Sequence, residues 1–224
     1  MERSNPDMVS ARHLSLPTVT NTTRELLESG LLRDLGEMQS TGGRRARALC
    51  AASDYRFSIG LDITRNHLGI LLLNLTGDII KYERMQLSFS RSSAYFSEVC
   101  QKIDDFLLET EISGEQILGL GISLPGIVDP VQKMITYSHA LGVRDLPFSE
   151  IQSYFPWHCT FLNDANAGAF AEGIGSDLPS SFFYLSLSNT VGGAIFHDGN
   201  LLPGDAFRCG EAGHMTLIPD GKPC

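Results

Sequence analysis

One pattern occurs twice in this chain. At 57–63, 68–75 and 79–87 three short apolar segments follow one another around tight turns, the second turn being Thr76-Gly77-Asp78. At 182–187 the pattern restarts, with a second segment at 191–196, an Asp198-Gly199 turn and a further short stretch. Segments of this length, bounded by Gly, Asn and Asp, read as strands joined by hairpin turns. Between the two sets, a helix is predicted over 93–109, with Phe96, Val99, Ile103, Phe106 and Leu107 on one face. The stretch 117–124 is almost wholly apolar, which predicts a strand covered on both faces. Phe161-Leu162 ends a short strand, and 165–173 reads as a helix of small residues. A strand–turn–strand opening that recurs constrains the chain to a duplicated α/β architecture of two lobes with a cleft between them. The first lobe is placed at 54–175 and the second at 176–224, with a linker over 36–53. A second lobe of this size is too small to bury a core of its own, so the chain is expected to be a fragment whose second lobe is truncated.

Charge is divided unevenly. The whole chain carries 17 Lys and Arg against 26 Asp and Glu, a net charge of −9. Up to Cys50 there are seven Arg against six acidic residues (net +1), so the rest carries ten against twenty (net −10). An acidic body repels nucleic-acid phosphates, so any DNA contact must come from the first fifty residues, where Arg44, Arg45 and Arg47 cluster. The same cluster also suits a solvated linker. No apolar run approaches the roughly 18 residues of a membrane span, and the N-terminus lacks the apolar core of a signal peptide. Five scattered cysteines argue against a disulfide framework and for a reducing cytoplasm.

Within residues 1–50, Ser15 is a predicted N-cap and Pro17 lies in the first turn of a helix. Leu16, Val19, Thr23, Leu26 and Leu27 fall on one face; Thr18, Thr20, Asn21 and Arg24 fall on the other. Short polar side chains and one Arg suit a helix lying in the major groove. Periodicity alone equally suits an amphipathic helix packed on the body. Gly30 is the expected stop. Leu31-Leu32-Arg33 then starts a strand that 40–45, rich in Gly and Arg, would turn back as a basic wing. Residues 5–13 leave room for only one short helix before this unit, so its usual first helix is expected to be missing.

Two further motifs carry chemistry. Asn163-Asp164 opens the small-residue helix, and Gly210-Glu211-Ala212-Gly213-His214 follows about fifty residues later. Carboxylates and amides suit polyols because each pairs with several hydroxyls, and a carboxylate at a sugar hydroxyl can act as a base. Asn163-Asp164 equally suits helix N-capping, and His214 equally suits a hydrogen-bonded core histidine.

Together with Ile-Gly-Leu-Asp-Ile at 59–63 and Leu-Pro-Gly-Ile-Val-Asp at 124–129, these motifs resemble the ROK family of repressors, open reading frames and sugar kinases. The resemblance runs from Ser15 to Cys224. It implies the actin-like, ribonuclease-H-like ATPase fold, here preceded by a partial winged helix-turn-helix, which marks the family's repressors. It also implies that Asp164 stands at the catalytic base of the kinases, and that Asn163, Asp164, Glu211 and His214 hold the sugar. His214 is further implied as the first ligand of a structural zinc and Cys224 as the second, with the full set expected only in the intact protein.

Against the kinase pattern Asp-x-Gly-x-Thr, this chain has Asp62-Ile63-Thr64-Arg65-Asn66; against Gly-Thr-Gly-x-Gly-Gly-Gly it has Ser188-Asn189-Thr190-Val191-Gly192-Gly193-Ala194. Asp62, Gly192 and Gly193 survive, but β-branched Thr replaces glycine where phosphates need room. ATP and magnesium are therefore not expected to bind. The expected function is a sugar-responsive transcriptional regulator: a sugar or amino sugar as effector, operator DNA contacted by Thr18, Thr20, Asn21, Arg24, Arg44 and Arg45, a homodimer or higher oligomer, and no membrane partner. The alternative is a ROK-type sugar kinase.

Overall fold

The computed structural model describes residues 4–12, 14–37, 47–174, 178–187, 190–216, 218, 219 and 221. Two compact units emerge. The first takes in Met1–Ser58, Leu72–Lys81 and Ser113–Leu118; the second takes in Ile59–Leu71, Tyr82–Ile112 and Gly119–Cys224.

In the first unit, Ser4 opens α1 (Asn5–Arg12) with a reciprocal cap: its backbone N–H and hydroxyl both donate to Asp7 Oδ2, at 2.9 and 2.7 Å. Helix α2 (Leu16–Glu28) starts as predicted, with the Ser15 hydroxyl accepting from the Thr18 N–H and Pro17 in the first turn. Its buried residues are Val19 and Thr23, and Thr23 Oγ1 donates to Asn5 Oδ1 of α1 at 3.0 Å. Gly30, at φ 79°, ends the helix. Its N–H reaches the Leu27 carbonyl and the Leu31 N–H reaches the Leu26 carbonyl, the paired bonds of a Schellman stop. Replacing Ser15 with Ala should cost about 1 kcal/mol of stability, the worth of one N-cap. Chemical denaturation with an unchanged m-value would check this, and no shift in midpoint would mean that α2 does not depend on its cap.

The chain then forms an antiparallel pair, β1 (Leu32–Glu37) and β2 (Arg47–Ala51), with a bulge between Asp34 and Gly36. The linker expected over 36–53 is thus corrected, because Ala48 and Leu49 are buried and the strand is paired. Arg47, the last of the three clustered arginines, is ion-paired with Asp34. Arg44 and Arg45 lie outside the described residues.

The central sheet is built from β3 (Phe57–Ile63), β4 (His67–Asn74), β5 (Ile79–Gln86), β6 (Ile117–Leu124) and β10 (Cys159–Asn163), in the order β10-β6-β3-β4-β5. β10 runs parallel to β6. Alternation in β3 is strict: Phe57, Ile59, Leu61 and Ile63 are buried, while Ser58, Gly60 and Asp62 take the other side. The expectation that β6 is covered on both faces fails, since Gly121 is exposed and Leu118 keeps 56% of its surface. Helix α3 (Ser93–Leu108) buries the predicted stripe, and Phe96 stacks on Tyr154 at 5.0 Å.

After β6 comes a meander of short strands, β7 (Ile127–Asp129), β8 (Met134–Ser138) and β9 (Val143–Pro147), followed by α4 (Phe148–Gln152). Beyond β10, helix α5 (Asp164–Gly173) packs on an antiparallel sheet of β11 (Phe182–Leu187), β12 (Val191–His197) and β13 (Asn200–Leu201). The small residues of α5 have a steric reason. A Cβ on Gly168 would fall 2.6 Å from the Tyr184 hydroxyl, and one on Gly173 would meet the Phe196 ring. The four cysteines among the described residues are free thiols, and burial pushes Cys159 up to about 11.

Candidate functional site

The carboxyl end of β10 and the start of α5 form the centre of the site. Asn163 closes the strand and caps the helix: its Oδ1 accepts from the Ala165 and Asn166 N–H groups at 2.9 and 3.2 Å. Its Nδ2 donates to the carbonyl of Gly126, 37 residues earlier, at 2.9 Å. Among the described residues the amide therefore makes three of its four possible bonds, with one N–H left over. The N-capping use of Asn163 is thus real, and it leaves room for a second one.

Gly126 is where the chain turns from β6 into β7, at φ 140°. A side chain there would sit 2.7 Å from the Tyr137 carbonyl and 2.8 Å from Ser138 Cβ. The Pro125-Gly126 corner is thus held from below by β8 and from the side by Asn163.

Asp164, exposed at the first turn of α5, has a carboxylate neighbour in Asp62 at the end of β3. Burial pushes the Asp62 carboxyl up; the Ser123 hydroxyl, donating at 3.4 Å, opposes this, the charge of Asp164 adds to it, and Arg84 pulls the other way. Neither Ser123 nor Arg84 was among the candidates from sequence. Their signal was faint: one hydroxyl in an apolar strand, and one Arg in the alternation of β5. Because the folded-state value of Asp62 is raised, native protein holds a proton there that unfolded chain releases first. Stability therefore falls as pH rises from below the ordinary carboxylate value through the raised one. Asp62→Asn should accordingly be more stable than the parent at pH 7, with the gain vanishing near pH 3.5. Thermal melts at both pH values test this, and a loss of stability at pH 7 would mean that the charge is satisfied.

Gly192 and Gly193 lie in β12, where both serve close packing. A Cβ on Gly192 would be 3.2 Å from Ala165 Cβ at the start of α5, and one on Gly193 would strike the Gly210 carbonyl. Gly210, at φ 90°, and Gly213 in turn have no room for a side chain against Ala194 and Val191. These contacts seat the 210–214 segment along β12, and β12 seats α5. Close packing thus runs from the 210–214 segment through β12 to the start of α5. Glu211 and His214 flank a single helical turn, with His214 Nε2 3.8 Å from Glu211 Oε2 and the His side chain 87% exposed. Cys224 lies outside the described residues. Among the described residues no three His, Cys, Asp or Glu side chains converge as metal ligands. His214 alone falls short of a tetrahedral zinc set.

Thr18, Thr20, Asn21 and Arg24 are all exposed along α2, in the other unit. The Thr18 hydroxyl lies 2.8 Å from that of Ser15. Among the described residues no helix is long and apolar enough to cross a membrane.

Residues 58–224 match the ROK family. A xylose repressor of Bacillus spizizenii is 28% identical over 214 residues, covering 94% of this chain and 56% of the repressor. A solved ROK family transcriptional regulator, a homologue of the Escherichia coli MLC protein, superposes with a TM-score of 0.76 at 23% identity, over 99% of this chain and 57% of that one. A ROK glucokinase from Streptomyces griseus, solved with glucose and AMPPNP, gives a TM-score of 0.63 at 21% identity, over 74% of this chain and 52% of that one. The chain spans about half the length of the curated relatives it matches.

Proposed function

The chain belongs to the ROK family, and from that premise we propose that it is part of a sugar-responsive repressor, with a DNA-reading N-terminal unit and a sugar-binding body. The observation that carries this reading is the state of α2. Val19 and Thr23 are buried, Thr23 bonds to Asn5 of α1 and a hairpin follows the Schellman stop, while Thr18, Thr20, Asn21 and Arg24 remain exposed. A polar helix face of this kind, followed by β1 and β2 as a wing, suits a major groove. α1 would be the one short helix that precedes the reading helix in such a unit.

In the body, a sugar would sit against the Pro125-Gly126 corner. The spare N–H of Asn163, the carboxylates of Asp164 and Glu211, and the imidazole of His214 would engage its hydroxyls. Binding would bias the spacing of two DNA-reading units in a dimer and so the affinity for a palindromic operator. Zinc belongs to this reading only as a structural ion at His214 and Cys224 with further ligands, and nothing in the sensing step runs through it.

Mobility-shift assays on the intact protein, with DNA from upstream of its own gene and with or without sugars, test the proposal. Indifference to DNA under all conditions would sink it. Arg24→Ala should weaken operator binding by about 1–3 kcal/mol if it reads a base, or lower the salt slope by about one if it meets a phosphate. The kinase alternative rests on Asp62 and Asp164, both retained in one place; ATP-dependent sugar phosphorylation abolished by Asp164→Asn would establish it.

A further inference from the structure

A cavity of about 300 Å³ has Asp129, Gln132, Thr136, Asp205, Phe207 and Arg208 among its lining. Its two walls continue the two segments already described. Asp129 ends β7, three residues beyond the Gly126 carbonyl that Asn163 holds. Arg208 is joined to Glu211 directly, its carbonyl accepting from the Glu211 N–H at 3.4 Å. One wall is rigid: Asp129 is only 6% exposed, and its Oδ1 accepts from the Val131 and Gln132 N–H groups at 2.9 and 2.8 Å. The other wall is shaped by an unusual backbone. Phe207, a bulky residue, sits at φ 55°, in the left-handed region that favours glycine. Conformations of this kind persist where the surroundings impose them, and they cluster at ligand clamps.

The lining narrows the class of ligand. Two carboxylates beside one guanidinium leave the cavity negative, which disfavours a phosphorylated or carboxylated group. An apolar group would strand five polar side chains. A neutral polyol pairs with acceptors and donors alike, and here it would meet Asp129 and Asp205 as acceptors, Arg208 as donor, Gln132 and Thr136 as both, and Phe207 as an apolar platform. The volume is at the small end for ligand pockets, enough for one compact group rather than a whole extended ligand.

Resting on the sugar-sensor reading, we infer that this cavity is a second glycosyl subsite, and that the effector is a disaccharide or glycoside whose first ring meets Asn163, Asp164, Glu211 and His214.

Calorimetric titration of the intact protein with xylose, glucose and N-acetylglucosamine, and with xylobiose, cellobiose, maltose, sucrose and chitobiose, tests this. At least one disaccharide should bind about tenfold or more tightly than any of its constituent monosaccharides in the set, the scale of a few added hydrogen bonds. Arg208→Ala and Gln132→Ala, both at exposed positions, should remove that advantage while leaving monosaccharide binding within about twofold. Disaccharides binding no tighter than their monosaccharides would overturn the subsite and leave the sensor reading standing, as would variants that weaken both classes equally. If neither class binds, the sensor reading falls and the subsite with it.

Discussion

Gly126→Ala should cost about 3–5 kcal/mol and lower the melting temperature by roughly 10 °C or more. Two costs combine. At φ 140° any Cβ is strained, and the new atom would sit 2.7 Å from the Tyr137 carbonyl and 2.8 Å from Ser138 Cβ. Neither neighbour can yield cheaply. Tyr137 contributes backbone within β8, and Ser138 is 1% exposed, with its hydroxyl accepting from the Leu141 N–H at 3.1 Å. Relief would have to move β7 away from β8, and with it the Gly126 carbonyl that Asn163 holds. Sugar binding should therefore fail even where folding survives. A near-parental melt, read by circular dichroism, would show that β8 can shift and that this corner is not fixed.

Asn163→Ala should be the next most damaging change, at about 2–3 kcal/mol: roughly 1 from the lost helix cap, and the rest from an orphaned Gly126 carbonyl and lost packing. Asn163→Asp separates the two roles. It keeps an acceptor for the Ala165 and Asn166 N–H groups but removes the donor to Gly126, and it places a third carboxylate near Asp164 and Asp62. Stability should recover by about half, while sugar binding, read by calorimetry, should not recover. If the Asp variant binds sugar like the parent, the bond to Gly126 is not what prepares the site.

How far these features were legible beforehand depended on their range along the chain. The apolar run at 57–63 marked β3, and the stripe from Phe96 to Leu107 marked most of α3, because each signal is complete within a short stretch of chain. Ser15 and Gly30 bounded α2 for the same reason. The meander of β7, β8 and β9 was not read. Its strands run three to five residues, and its turns rely on Lys133 at φ 55° and on Gly142, with Asp145 also left-handed, so no period has room to show. β2 was taken for linker because Arg47 to Ala51 offers only two buried residues. In the site, Asn163 and Asp164 stood out as a pair, yet the bond from Asn163 to Gly126 spans 37 residues and leaves no local trace. The cavity beside Arg208 depends on one left-handed phenylalanine, which no composition rule anticipates.

The double duty of Asn163 also gives the protein a built-in gauge. One side chain holds both the first amides of α5 and the carbonyl of the 125–127 corner, so loosening the corner frees those amides to exchange with solvent. Exchange of the Ala165 and Asn166 N–H protons, followed by mass spectrometry or NMR, thus reads out the state of a loop that itself contains a proline and carries few amide reporters. A bound sugar should slow these two protons before any change elsewhere in α5, which makes occupancy measurable without a label, a coupled reaction or DNA.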